Sequence, residues 1–338
     1  MVDHHNSVTD PAPRTLTPTC ATVNEIALPR DPRALLLDRL GRLPPPVAPT
    51  APAVERRFTW DGITYEHWRL RGPCEDIPAY FLIGEQTPRP APTVIALHPH
   101  GRQFEVAKSL AAGLVGDRSR AYGLAAARAG FAVLVPDLPG FEERRPPLAA
   151  RKANYALQGD AYERLLAMNA LVQGTTLQAW ILADLQACVA VLAQDGRVDA
   201  GRLAVLGQSF GGQEVIFGML FERRLRAGVA SCGFSLVHLL VERSLSHNMA
   251  LYLPGLLPDL DFDTMVAALA PRPLYVIAGR RDAIYPVDGV EAVEARARAA
   301  YATAGAARHL VFHYFDGPHD LPPDALAAAL GWLAQVLA

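Results

Sequence analysis

From residue 93 onward, short apolar runs alternate with alanine-rich helical stretches, and this alternation limits the folds open to the chain. The runs are Thr93–Leu97, Phe131–Pro136, Leu203–Leu206, Gly228–Ser231, Leu274–Ala278 and His309–Phe315. They are continuous rather than strictly alternating, as expected for parallel strands covered on both faces. The stretches between them, at 117–129, 176–194, 211–222, 288–304 and 323–337, are long enough for crossover helices. Strand–helix repetition of this kind predicts a mostly parallel, doubly wound α/β sheet. Upstream, Arg57–Tyr65 sets Asp61-Gly62 between two β-prone runs, a strong hairpin signal, and Ile77–Ile83 supplies a third antiparallel strand.

Two segments break the alternation. Residues 142–175 and 235–263 lack a strand where a tight connection is expected, so they are read as small lid or pocket-wall insertions. Residues 1–55 hold 10 of the 28 prolines and little periodicity, apart from a helical Pro32–Leu40 closed by Gly41. They are read as a proline-rich arm, with residues 1–25 either packed or a plain tail. Residues 56–338 are read as one catalytic domain.

Composition removes several function classes. Against 34 acidic residues stand 32 basic ones, a net charge of −2, which argues against a nucleic-acid partner. No run approaches 18 apolar residues, and the opening MVDHHNSVTDPAPRT lacks the apolar core of a signal peptide. The expectation is a cytoplasmic protein without a membrane partner, with a homodimer left open. The four cysteines, Cys20, Cys74, Cys188 and Cys232, form no Cys-x-x-Cys pair, so neither a zinc site nor a disulfide framework is expected.

The sharpest motif is Gly207-Gln208-Ser209-Phe210-Gly211-Gly212, placed directly after the Arg202–Leu206 run and before a helical one. A strand–turn–helix around Gly-x-Ser-x-Gly projects the serine hydroxyl above a sheet. The following helix then turns its first N–H groups toward the same spot. A serine needs a general base, and in this architecture the order is nucleophile, acid, histidine. His319 lies in the Gly-Pro loop after the last strand. Asp282 lies in the loop after Leu274–Ala278, although Arg280 and Arg281 offer it a plain ion-pair role. Asp288 is a second candidate acid that reads better as a helix N-cap. His309 and His313 read as structural.

Ile95-Ala96-Leu97-His98-Pro99-His100-Gly101 ends a strand in a compact loop suited to an oxyanion hole. Pro99 has no N–H, so the donors are assigned to His100 and Phe210. His98-x-His100 alone is a weak metal signal, and no metal or other cofactor is expected. His98, Phe234, Met249, Tyr252 and Leu253 are taken as substrate-binding, against the alternative of ordinary core. Phe104, Glu105 and Lys108 are weaker candidates, with helix-surface solvation as the default.

Together these residues resemble the α/β-hydrolase superfamily, and within it the acetyl xylan esterase/dienelactone-hydrolase-like branch, over about residues 90–338. The likeness includes Val135–Arg144 with its Gly-Phe-x-Glu-Arg element, Ala268–Pro273 and Tyr252–Leu256. Dienelactone hydrolases proper carry cysteine as nucleophile, whereas Ser209 favours ordinary ester chemistry. Polysaccharide esterases of this branch are often exported, so the unsignalled start points away from xylan. The resemblance implies a serine hydrolase acting on a small ester, lactone or thioester through an acyl-enzyme. C–C bond hydrolysis and acyl transfer use the same triad and stay open, as does a catalytically silent binding scaffold.

Overall fold

A computed structural model describes residues 31–257 and 259–338. The expectations for residues 1–30 therefore lie outside the described residues. The arm's helical stretch is α1 (Pro32–Leu40), started by Asp31, whose carboxylate accepts from the Arg33 N–H at 3.1 Å. Leu36 and Leu40 are fully buried on one side of it, so α1 is anchored by core packing rather than by its own propensity.

Nine strands form one sheet: β1 (Ala53–Trp60), β2 (Ile63–Leu70), β3 (Ile77–Gly84), β4 (Ala91–Leu97), β5 (Ala132–Pro136), β6 (Val198–Gln208), β7 (Leu225–Ser231), β8 (Leu274–Gly279) and β9 (Leu310–Phe315). Their order is β1-β2-β3-β5-β4-β6-β7-β8-β9. The β1–β2, β2–β3 and β3–β5 pairs are antiparallel, and every other pair is parallel. Asp61 and Gly62 turn the first hairpin with φ 51° and 69°. Two positive φ values in a two-residue loop match the right-handed twist of the flanking strands.

The helices are α2 (Lys108–Ala111), α3 (Tyr122–Arg128), α4 (Leu148–Ala153), α5 (Gly159–Val172), α6 (Leu177–Leu192), α7 (Phe210–Phe221), α8 (Val237–Glu242), α9 (Phe262–Ala267), α10 (Val287–Thr303) and α11 (Pro323–Val336). Successive residues of each parallel strand feed opposite layers. Ile95, Leu97, Leu203, Val205, Leu274 and Val276 join one core with α1, α6, α7, α9 and α10. Val94, Ala96, Ala204, Leu206, Tyr275 and Ile277 join the other with α3 and α11. The fold is thus the α/β-hydrolase fold expected, with a mostly parallel sheet and antiparallel strands at its start.

Several boundaries differ from expectation, three of them for a visible reason. The helix predicted over 117–129 opens as a separate 3₁₀ turn, because the Asp117 carboxylate caps Ser119 at 2.9 Å and Ala121 leaves helical geometry. β6 begins at Val198, since Val198 pairs with Ala91 before the register shifts. His309 falls outside β9, in a short turn where its Nδ1 bonds the Pro271 carbonyl at 2.8 Å. The two strandless segments are built from α4, α5, α8 and the start of α9. No single described helix is long and apolar enough to cross a membrane.

Candidate active site

β6 ends at Gln208 and α7 begins at Phe210, which leaves Ser209 alone at the turn with φ 57° and ψ −117°. That conformation costs a non-glycine residue about 1–3 kcal/mol. It is held by the Ser209 N–H donating to the Ser231 carbonyl at the end of β7, 2.8 Å away. A Cβ on Gly207 would run into the Gly211 backbone, and one on Gly211 into the Leu97 carbonyl. The two glycines therefore let β4, β6 and the start of α7 close on one another beneath the serine.

Asp282 and His319 meet above the ends of β8 and β9. Asp282 Oδ2 accepts from His319 Nδ1 at 2.8 Å, while Oδ1 accepts the N–H groups of Ile284 and Tyr285 at 2.8 and 2.9 Å. Burial pushes the carboxyl up, but the His319 bond and these two amides outweigh it and hold Asp282 below the usual carboxylate range. With Nδ1–H committed to Asp282, Nε2 of His319 is left as the basic nitrogen. Ser209 and His319 line the same cavity, of about 500 Å³. Asp288 is not an N-cap. It sits inside the first turn of α10, behind Pro286, and its carboxylate pairs with Arg243. His313 bonds the Tyr275 hydroxyl at 2.9 Å.

The loop after β4 stands against this turn, and Tyr122 fixes its root by donating to the Leu97 carbonyl at 2.6 Å. The backbone N–H groups of His100 and Phe210 have no acceptor among the described residues. His100 and Phe210 both line the cavity, their rings 5.9 Å apart. Nδ1 of His100 accepts from the Arg102 N–H at 3.2 Å, so Nε2 donates to Glu163 at 3.0 Å. Phe104 and Phe141 pack at the edges of this ring, at 5.0 and 5.2 Å.

His98 does not bind substrate. It is wholly buried, its Nε2 accepts from the Leu138 N–H at 3.0 Å, and its Nδ1 donates to the Pro99 carbonyl at 3.0 Å. Burial lowers it to about 4, so it stays neutral, and both ring nitrogens are used up in joining the β4 and β5 loops. A His98–His100 metal pair is thereby excluded. His100, Asp160 and Glu163 bring ligand-type atoms within 4.8 Å of one another. That group is already satisfied internally, with His100 on Glu163 and Asp160 facing Arg102 at 3.6 Å.

Among the apolar candidates only Met249 reaches the cavity wall. Phe234 is buried, stacked on Phe262 at 5.3 Å, and Leu253 is buried in the same core. Both are structural because the second insertion folds its apolar side inward over α7. Tyr252 stands outside the wall, its hydroxyl accepting the His247 N–H at 3.1 Å. Phe104 is buried and stacks on Phe141 at 4.9 Å, and Glu105 pairs with Arg145.

Lys108 is fully buried rather than on a helix surface, and lies 2.6–2.9 Å from Asp137, Glu142 and Glu143. Burial alone would push its ammonium down, but the facing carboxylates hold it above its ordinary value. Glu142 also accepts the N–H groups of Ala107 and Ser109 at 2.9 and 3.0 Å. Arg144 closes on Asp184 at 2.7 Å. The Gly-Phe-x-Glu-Arg element therefore braces the loop that carries His100 and lies outside the chemistry.

The sequence reading missed the residues that finish the cavity. Glu163 bonds both His100 and the Met249 N–H, the latter at 3.0 Å, and so ties the two insertions to the β4 loop. Asn248 donates to Gln213 at 2.9 Å, within a buried set that includes Gln178 and Glu214. His247 lies tilted against the Tyr285 ring, centroids 4.6 Å apart, and burial holds it down to about 4. Arg102 and Arg164 complete the rim. Nothing in their spacing marks these residues, because each meets its partners across long sequence gaps.

The model of the dienelactone hydrolase family matches residues 111–337. The chain belongs to the dienelactone hydrolase family. With it the chain joins the ester-hydrolysing α/β-hydrolases. It is 27% identical over 236 residues to a candidate hydrolase, YtaP of Bacillus subtilis (strain 168), covering 69% of this chain and 74% of the relative. Two solved structures share the fold at low identity. A candidate acetyl xylan esterase of Bacteroides fragilis superposes with a TM-score of 0.66 at 16% identity, over 86% of this chain and 77% of the other. A glucuronoyl esterase from Solibacter usitatus does so with a TM-score of 0.62 at 13% identity, over 90% and 92%.

Proposed function

We propose that the chain is a serine hydrolase that cleaves a small carboxylic ester, lactone or thioester by two-step acyl transfer. The observation that carries this reading is that His319, bonded to Asp282 at 2.8 Å, lines one cavity with Ser209. His319 Nε2 takes the Ser209 proton as the hydroxyl oxygen attacks the carbonyl carbon, and Asp282 stabilises the imidazolium. The free N–H groups of Phe210 and His100 face the developing oxyanion, with the start of α7 adding its dipole. The imidazolium then protonates the leaving alcohol or thiol. A water attacks the acyl-enzyme with His319 again as base, releasing the acid and restoring Ser209.

Esterase relatives and family membership support this chemistry without naming the substrate. Active-site labelling with a fluorophosphonate is the test. A single adduct on Ser209 in folded protein, lost in His319→Ala, is expected, whereas labelling elsewhere or none at all would refute the reading. Turnover of short-chain p-nitrophenyl esters gives the parallel kinetic assay. An Asp282→Asn variant that kept turnover within about threefold would displace Asp282 from its role.

A further inference from the structure

The first insertion carries a second, open cleft beside the cavity that holds Ser209. α4, the turn after it and the start of α5 surround a cleft of about 540 Å³, whose wall includes Leu148, Arg151, Lys152, Tyr155 and Arg164. Asp160 and Arg164 line both this cleft and the Ser209 cavity, so the two compartments meet at these side chains.

Charge in the cleft is uneven. Its two acids are already engaged, Glu105 by Arg145 and Asp160 by Arg102. Arg151 uses only its Nε, on the Pro146 carbonyl at 2.9 Å. Lys152 and Arg164 have no ion-pair or hydrogen-bond partner among the described residues. Three cations, none in an ion pair among the described residues, thus line one concavity beside two acids that already pair with other arginines, with the exposed ring of Tyr155 at its edge. Converging cations in a cleft concentrate anions, and the planar guanidinium forks of Arg151 and Arg164 match carboxylate and phosphate oxygens. A wholly neutral ester would leave all three unused.

We propose that this cleft is a subsite for an anionic group, a carboxylate or a phosphate, which the substrate carries at a distance from its scissile carbonyl. The proposal rests on the ester-hydrolase reading and narrows its substrate class. The reacting carbonyl sits at Ser209, and the spacer crosses the junction at Asp160 and Arg164. The distal anion lies between Arg151, Lys152 and Arg164, and the first insertion selects for its charge.

The test compares matched esters at low salt. One series is the p-nitrophenyl monoesters of dicarboxylic acids of increasing length, each beside the same ester with its distal carboxylate methylated. A second series is aryl acetates bearing a distal carboxylate or phosphate, each beside its neutral analogue. The readout is the ratio of kcat/KM for the anionic ester over the neutral one. At least one series should show a ratio of about tenfold, shrinking toward unity near 1 M NaCl, where the screening length is about 3 Å. Reversing two charges, Lys152→Glu with Arg164→Glu, should cut the ratio about tenfold. Lys152→Gln with Arg164→Gln gives a milder loss and serves if the reversal perturbs folding. The carboxylate and phosphate arms of the second series identify the preferred anion. A ratio within about twofold of unity in both series, with neutral esters turned over, overturns the proposal, as does a preference that survives both double variants. No turnover of any ester and no Ser209 adduct would instead overturn the hydrolase reading, and the subsite with it.

Discussion

The cavity has two unlike sides. On one, Ser209 and Phe210 stand at the β6–α7 turn and His319, backed by Asp282, in the loops that follow β9 and β8, where backbone contacts and the Asp282–His319 bond hold them. On the other, Glu163, Met249 and Asn248 stand on inserted helices and turns, held by a few polar side-chain bonds. The first side is specified by sterics that tolerate no added atom. The second depends on hydrogen bonds of about 1–3 kcal/mol each, which substitution can rearrange. This division suits a fold in which reaction chemistry stays constant while substrate choice varies.

The largest expected effect tests the sheet-borne side. Ser209→Ala and His319→Ala should each cost on the order of 10⁴-fold or more in kcat on a p-nitrophenyl ester, with melting temperature barely changed. A comparable loss in Glu163→Ala would erase the contrast between the two sides. Next comes Gly211→Ala, whose methyl must displace the end of β4 or the elbow itself. It should destabilise the protein by more than about 3 kcal/mol in urea titration, and a near-normal midpoint would show that the contact is slack.

Glu163→Gln keeps the shape but removes the charge that receives His100 and the Met249 amide. Steady-state kinetics should show about a tenfold fall in kcat/KM, with a stability loss of about 1–3 kcal/mol by chemical denaturation. An unchanged enzyme would mean that the insertions seat themselves without it.

A pH dependence tests the buried histidines on each side. His98 and His247 are both depressed to about 4 by burial, against an ordinary value near 6.5. Between those pH values the unfolded chain binds protons that the folded chain refuses, so folding stability is full above pH ~6.5 and falls as pH drops toward ~4. Replacing His98 by Gln should flatten that slope when urea midpoints at neutral and mildly acidic pH are compared. A slope unchanged in the variant would assign the acid sensitivity elsewhere.

What was legible in the sequence follows the same division. Asp61-Gly62 marked its hairpin, Pro32 and Gly41 bracketed α1, and the strand–helix period marked the sheet, because each signal is local. Ser209, Asp282 and His319 could be nominated from the loops that follow identifiable strands. The far wall could not. Glu163 lies on an ordinary-looking helix 63 residues from its partner His100. Lys108 sits among alanine, serine and leucine, with nothing nearby to announce that three carboxylates would surround it in the interior. His98 and His100 look equivalent in sequence. Both lie past the end of β4, where the loop sends one ring between the β4 and β5 loops and leaves the other at the cavity, a difference decided only by tertiary packing.

The positive φ at Ser209 bears on how such a chain can change over time. Glycine at this position would relieve the backbone at once, so the residue that the proposed acyl transfer needs is one that folding alone would discard. Selection for stability and selection for turnover pull this single codon in opposite directions. A lineage released from such a reaction is free to drift there toward a firmer, silent protein, so the residue found at that turn in a relative is a direct reading of whether the proposed reaction is still demanded of it.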